Sequence, residues 1–295
     1  MAEKKSNPFI RMMRSFGMFF GWMWDTRYWA EWVMSVVVII ISLYISGAAE
    51  PRHRLTPMPD GVLDTNLSFP REASIVNKFS LWTAMLVMPF AVVALSINFG
   101  ASWLDVHHVL LSILEALALS YAFTNAMQLM TGRLVPTWFE RIEDDSGIKS
   151  GRLSFPSSHA SYSSAAMTVL ALYLLSKTRV FRRDRYQLPL LVYSLLPLAV
   201  SIFISTSRVM DHHSHFADIN ASFFIGTTTG IIAFHLQYPP IWNRNVGKPR
   251  TRGSRILDKV RESREEEKRR RYQTGGRDDK GMAGHDDAFE DDARI

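Results

Sequence analysis

The chain alternates long apolar stretches with short polar ones, and the stretches have the length of membrane crossings. A helix needs about 20 mostly apolar residues to cross a bilayer, because no water there satisfies its backbone N–H and C=O groups. Six segments meet this pattern: 29–48, 81–99, 104–130, 158–175, 188–205 and 216–236. The fourth and sixth are the least apolar, since both carry Ser, Thr, Asn or His. Small and hydroxyl residues such as Ser161, Ser163, Ser164, Ala165 and Ala166 suit close helix–helix packing inside a bundle. The pattern predicts an all-α integral membrane protein with a six-helix bundle core and no internal repeat.

The flanking segments differ in kind. Residues 1–28 read as a cytoplasmic or interfacial N-terminal segment, 29–238 as the six-span membrane domain, and 239–295 as a charged cytoplasmic tail. Within the first, residues 7–25 mix Phe, Met and Trp with Arg. They fit an interfacial helix leading into span one, or a partner-binding segment. Residues 254–273 are helix-capable, with opposite charges on neighbouring turns, whereas beyond Gly275 the chain is too polar to bury a core and is expected to be disordered. The first apolar run is long and followed by others, so it reads as a retained span rather than a cleaved leader.

Charge adds an orientation. The net charge is +6, and the positive residues lie between the apolar runs, so topology accounts for them better than nucleic acid does. Lys4, Lys5, Arg11 and Arg14 precede span one. Lys177, Arg179, Arg182, Arg183 and Arg185 join spans four and five, and Arg244, Lys248, Arg250 and Arg252 follow span six. Six crossings put all three groups on one side, and positive loops favour the cytoplasm. Segments 49–80, 131–157 and 206–215 then face the lumen or the outside. The chain has no cysteine, which removes disulfides, thiolate catalysis and cysteine metal ligation.

Three polar stretches fall on that exported side. TGRLVPTW holds Arg133 and Pro136, FPSSHAS holds Ser157, Ser158 and His159, and SRVMDHHSHFAD holds Arg208, His212, His213, Ser214, His215 and Asp218. A Pro-Ser-Ser-His run entering a helix offers backbone N–H groups at a positive dipole end, which suits a phosphate. Ser157 and Ser158 add hydroxyl donors, and Arg133 and Arg208 add guanidinium forks matched to phosphate oxygens. His159 can protonate a leaving alkoxide, and Asp218 can orient a neighbouring imidazole. Taken singly, each stretch has a plain explanation as an interfacial anchor or a helix start; three on one face, in this order, point to one anion pocket. His212, His213 and His215 also have the chemistry of a zinc or copper site, but no acidic or thiolate pattern accompanies them, and no metal or other cofactor is expected. Glu115 lies mid-span, where an ionisable group either marks function or fixes helix packing.

The three stretches resemble the type 2 phosphatidic acid phosphatase superfamily, which includes the lipid phosphate phosphatases and the vanadium haloperoxidases. Its signature reads KxxxxxxRP, then PSGH, then SRxxxxxHxxxD. The resemblance covers roughly residues 25–238 and implies a six-span fold in which a His takes the phosphoryl group, a second His acts as acid, and Lys and Arg hold the phosphate. Carried over residue by residue, Ser207, Arg208 and Asp218 match, His159 matches the acid, Ser158 stands for the Gly, and Arg133 and Pro136 are kept. Ser214 stands in the nucleophile position, Gln128 in the Lys position, and Val135 where relatives carry a second Arg in GRLRP.

Losing an imidazole and two cations removes charge stabilisation that dominates phosphoryl transfer, at a cost of about 100-fold or more apiece. The residues alone therefore favour a catalytically impaired relative that binds lipid phosphate or serves as a scaffold. The alternative is an active lipid phosphate phosphatase acting on phosphatidate-like lipids, with His213 or His215 brought to the phosphate by a register change. A channel or transporter has only Glu115 in its favour. Expected partners are lipid phosphates such as phosphatidate and the bilayer, with protein partners possible through either terminal segment and no nucleic acid. The expected location is the endoplasmic reticulum or plasma membrane, with both termini cytoplasmic.

Overall fold

A computed structural model describes residues 19–54, 65–70, 73–96, 103–143, 147–182, 184–243, 246–250 and 252–253, with residues 262, 265 and 266 of the tail. Six long helices carry the architecture: α1 (Tyr28–Ala48), α2 (Lys78–Ser96), α3 (Trp103–Thr131), α6 (Ser158–Thr178), α7 (Gln187–Met210) and α8 (Phe216–Gln237). Two short ones, α4 (Trp138–Glu143) and α5 (Ile148–Gly151), join α3 to α6. No strand occurs among the described residues.

The expectation of six helices undercounts, because α4, α5 and a helical stretch at 19–25 are too short to read as crossings. α4 forms because Trp138 can bury itself with Leu67 and Leu134 in a small satellite core. By length and composition, α1, α3 from Leu104, α7 and α8 qualify as membrane crossings, while the apolar part of α2 is shorter. The protein is a membrane protein built from an all-α bundle.

α6 falls short of that hydropathy for a physical reason: it is the central helix. It packs against α2, α3, α7 and α8, and nearly every residue from Ala160 to Thr178 is buried. Facing protein on all sides, it has no need to be lipophilic. Ser161, Ser163, Ser164, Thr168 and Ser176 lie inside, while Trp82, Leu86, Phe90, Val192, Phe203, Phe224 and Ile232 of the surrounding helices point outward. Polar residues inside and large apolar residues outside is the arrangement a bilayer selects. Ser161 finds partners across the helix interface: its Oγ lies 2.7 Å from both Ser120 Oγ and Thr124 Oγ1 of α3. α8 approaches α6 most closely at Gly226 and Gly230. A Cβ on Gly226 would strike Ser164 Oγ and the Ser161 carbonyl, and one on Gly230 would lie 2.7 Å from the Ala165 carbonyl.

Glu115, mid-way along α3, accepts a hydrogen bond of 2.8 Å from Gln237 Nε2 of α8, which favours the packing account of that residue. The chain divides into two compact units, one of residues up to Val33 and from Thr251, the other Met34–Arg250. In the first, Arg252 Nη2 lies 2.6 Å from Glu31 Oε1 and its guanidinium stacks over the Tyr28 ring. The second holds the bundle and every residue of the polar stretches. Most of residues 7–25 and 254–273, and all beyond 275, lie outside the described residues.

Candidate phosphate site

The C-terminal ends of α3 and α7 and the N-terminal ends of α2, α6 and α8 meet at one end of the bundle. The sequence stretches singled out above all terminate there. Asp218, in the first turn of α8, is fully buried. Its Oδ1 receives Arg133 Nη1 at 2.7 Å. Its Oδ2 receives Ser154 Oγ at 2.5 Å and the His215 backbone N–H at 3.0 Å, and lies 3.2 Å from His215 Nδ1. A buried carboxylate with this many donors is fixed in position. The bonds to His215 also cap α8, so the imidazole is pinned at the helix entry with its Nδ1 toward the carboxylate. Its Nε2 bonds to none of the described residues, and its side chain is 21% exposed.

The neighbouring histidines are placed differently. His213 has both ring nitrogens engaged, Nδ1 with the Asp211 carbonyl at 2.7 Å and Nε2 with Ser74 Oγ at 3.2 Å. Burial lowers its pKa from the ordinary value of 6.5, and the Arg208 charge lowers it further. His212 takes a positive φ and stacks on Phe69 with ring centroids 4.4 Å apart. The three imidazoles thus turn to three different partners. Ser214 is buried, its backbone N–H bonds the Arg208 carbonyl at 3.2 Å, and its hydroxyl bonds none of the described residues.

On the other wall, Arg208 is 7% exposed. Its Nη1 reaches Ser74 Oγ and the Val76 carbonyl, both at 3.3 Å, and its Nε is buried without a partner. The segment that receives it also donates the Ile75 N–H to Asp211 Oδ2 at 2.9 Å. His159, on the first turn of α6, has a buried Nε2 without a hydrogen-bond partner. It sits within electrostatic reach of Arg208, Lys78 and His213. Ser157 is the N-cap residue of α6, but its side chain makes no capping bond. The uncapped end leaves helix N–H groups available to an anion.

The PAP2 superfamily model matches residues 109–242. Those residues form a PAP2 superfamily domain. It is 27% identical over 237 residues to a PA-phosphatase related-family protein of Dictyostelium discoideum, covering 78% of this chain and 87% of that one. It is 29% identical over 228 residues to lipid phosphate phosphatase 2 of Arabidopsis thaliana, covering 71% and 77%. A probable diacylglycerol pyrophosphate phosphatase 1 of Schizosaccharomyces pombe is 30% identical over 102 residues, covering 35% and 36%. No solved structure matches the chain.

Two PAP2 signature positions carry structural duties here. Gln128, where the signature has Lys, is buried and donates through Nε2 to the Leu153 carbonyl (3.2 Å), the Pro156 carbonyl (2.7 Å) and Ser158 Oγ (2.9 Å). It fastens the 153–158 loop to the end of α3, aided by Thr131 Oγ1 on the Phe155 carbonyl at 2.9 Å. Val135 is buried, and its N–H bonds the Gly151 carbonyl at 2.9 Å. Gly132 takes a φ of +54, and a Cβ there would land on the Arg52 carbonyl, so the turn that aims Arg133 requires glycine.

Sequence reasoning missed two participants. Ser154 donates to Asp218, and Ser74 bonds both Arg208 and His213. Both are serines in loops distant in sequence from their partners, and no spacing rule announces such contacts.

Proposed function

We propose that the protein is a lipid phosphate phosphatase in which His215, rather than the residue at the signature position, accepts the phosphoryl group. The observation that carries this is the His215–Asp218 pair: with Nδ1 held against a buried carboxylate, Nε2 is the ring nitrogen left to attack. His213 lacks that freedom. The reading from residues alone put impaired catalysis first; the one-residue register that sets His215 against Asp218 supports the active alternative.

In the proposed cycle, the phosphoryl group of a lipid phosphomonoester or diphosphate lies between the N-terminus of α6 and Arg208. His215 Nε2 attacks phosphorus while the P–O bond to the leaving group breaks, and His159 supplies the proton that the departing oxygen takes up. Water then attacks the phosphohistidine, its proton passing to His159, and phosphate leaves. Asp218 stabilises the imidazole as it becomes cationic, and Arg133 keeps Asp218 in place. The names of the Arabidopsis and Schizosaccharomyces relatives support lipid phosphates as the substrate class.

The loss of cations at Gln128 and Val135 favours a second reading, a site that binds lipid phosphate and turns it over slowly or not at all. Phosphate release from phosphatidate and diacylglycerol diphosphate, followed on the full chain in detergent, separates the two. Catalysis through His215 predicts measurable release that falls about 100-fold or more in His215→Ala. Release from His213→Ala should stay within about tenfold of wild type, because that ring orients the rim and not the phosphate. Binding of phosphatidate without any release would establish the second reading.

A further inference from the structure

The start of α2 brings to the phosphate site one cation that the proposed cycle does not use. Asn77 Oδ1 accepts the Ser80 N–H at 2.8 Å, as an N-cap does, and Lys78 is the first residue of the helix. The segment before it is fastened to residues of the site. Ser74 Oγ meets Arg208 Nη1 at 3.3 Å and His213 Nε2 at 3.2 Å. The Val76 carbonyl accepts from Arg208 Nη1 at 3.3 Å, and the Ile75 N–H donates to Asp211 Oδ2 at 2.9 Å. On either side of Lys78, Val76 and Leu81 are buried in the same core cluster as Tyr162, one turn along α6 from His159. The Lys78 backbone is therefore held between the anchors to Arg208 and the packing against α6. Its side chain is exposed and makes no hydrogen bond or ion pair with a described residue.

Its neighbours fix which side of the site Lys78 addresses. The charges that bear on His159 are those of Arg208, Lys78 and His213, whereas those that bear on His213 are Arg208, Arg141 and Asp211. Lys78 thus lies nearer the acid than the rim histidine. In the proposed cycle His159 serves the oxygen that leaves. A cation beside it at the exposed mouth faces the leaving group, not the phosphoryl group in transfer. A lipid diphosphate puts a second charged phosphate at that place, and a monoester puts an uncharged glyceryl group there.

We propose that Lys78 is a specificity-determining residue: it binds the inner phosphate of a lipid diphosphate and makes diphosphates preferred over monoesters. This rests on the cycle proposed above. His215 Nε2 forms the new bond to the terminal phosphorus, and the bond from that phosphorus to the bridging oxygen breaks. The bridging oxygen keeps the electron pair and takes the proton of His159. Until that proton arrives the inner phosphate carries added negative charge, which an ammonium beside it stabilises. Free pyrophosphate offers the same oxygens. Directly after Lys78, however, Phe79, Thr83, Val87 and Met88 of α2 and Val200 of α7 line an apolar groove of about 410 Å³. Thr83 Oγ1 is turned onto the Phe79 carbonyl at 2.9 Å. An acyl chain can run along this groove from the phosphates, and a free ion uses none of it.

The test measures phosphate release from dioctanoylglycerol diphosphate and dioctanoyl phosphatidate, with the full chain in neutral detergent. The readout is the ratio of kcat/KM for the diphosphate to kcat/KM for the monoester. Lys78→Gln should lower that ratio about tenfold, and Lys78→Arg should recover most of it. A residue that only supported the fold would lower both substrates together, so an unchanged ratio overturns the proposal. Binding supplies a second arm, read in His215→Ala as the rise in melting temperature with each lipid. The diphosphate should bind about tenfold more tightly than phosphatidate, and adding Lys78→Gln should erase the difference; a difference that persists overturns the proposal. Inorganic pyrophosphate should bind at least about tenfold more weakly than the lipid diphosphate, and equal binding overturns the lipid assignment. Should wild type release phosphate from neither lipid, the proposed function fails and the binding comparison alone decides the role of Lys78.

Discussion

At the residue scale, the question is what one position of register does. Ser214 occupies the signature position of the nucleophile, yet its backbone is tied to the Arg208 carbonyl and its side chain is buried. His215, one residue on, is the imidazole that meets Asp218. Asp218→Asn should therefore cost activity nearly as much as His215→Ala, about 100-fold, since an amide cannot hold the imidazole in the same tautomer and charge. The rim histidine gives a different signal. In the folded state burial, and then the Arg208 charge, disfavour protonation of His213, with Arg141 also opposing it and Asp211 favouring it. Its folded pKa lies below 6.5, so the unfolded chain takes up the proton first as pH falls. Stability is full above about pH 6.5 and declines below it, until the folded pKa is passed. His213→Gln should flatten that acid-side decline in melting temperature, whereas an unchanged slope would place the titration elsewhere. Much of this was legible in the sequence, because Arg133, His159, Arg208 and Asp218 were identifiable by spacing. The three-residue spacing of His215 and Asp218 allowed their pairing, but His213 and His215 lie equally close to the signature position, and it is the cap of α8 that sets His215 against Asp218.

At the scale of elements, the central helix explains what hydropathy obscured. α6 was among the weakest apolar runs by composition because its surroundings are other helices: Ser161 bonds across to α3, Ser163 to Ser201 of α7, and Ser164 and Ser176 to carbonyls of α6 itself. Gly226→Leu should push α8 away from α6, with a loss of about 3 kcal/mol or more of stability, visible as a lower melting temperature and poor recovery from membranes. Tolerance of leucine there would contradict the close crossing. The end of α3 makes a related point. Gln128→Ala leaves three acceptors of the 153–158 loop without their donor, and about 1–3 kcal/mol of destabilisation is expected. Restoring the signature with Gln128→Lys should not raise activity, since a buried ammonium would be held by the same loop carbonyls. The sequence announced the missing lysine but not that its substitute had become a structural fastener, because hydrogen bonds to loop carbonyls leave no periodic trace.

At the scale of the whole molecule, two opposite surfaces are joined by one bundle. The phosphate site gathers five helix ends on one surface, and the basic segment that follows α8 lies on the other. The distribution of Lys and Arg supports the latter as the cytoplasmic surface. Because the chain has no cysteine, single replacements report sidedness cleanly. In intact cells or sealed vesicles, Glu50→Cys should react with a membrane-impermeant maleimide from the lumenal or outer side, and Lys248→Cys only from the cytoplasmic side; the reverse pattern would invert the topology. The apolar runs marked the six long helices, four of which are long and apolar enough to cross a membrane, while the short helices between α3 and α6 needed the satellite core of Trp138, Leu67 and Leu134 to form. The central claim rests on a covalent event at His215, so the most direct test is to trap it. Full-length protein mixed with phosphatidate carrying a labelled phosphate, then quenched within milliseconds in alkali, should yield an acid-labile phosphohistidine mapped to His215 and absent from His215→Ala. Label on any other residue, or none while phosphate is still released, would contradict the account.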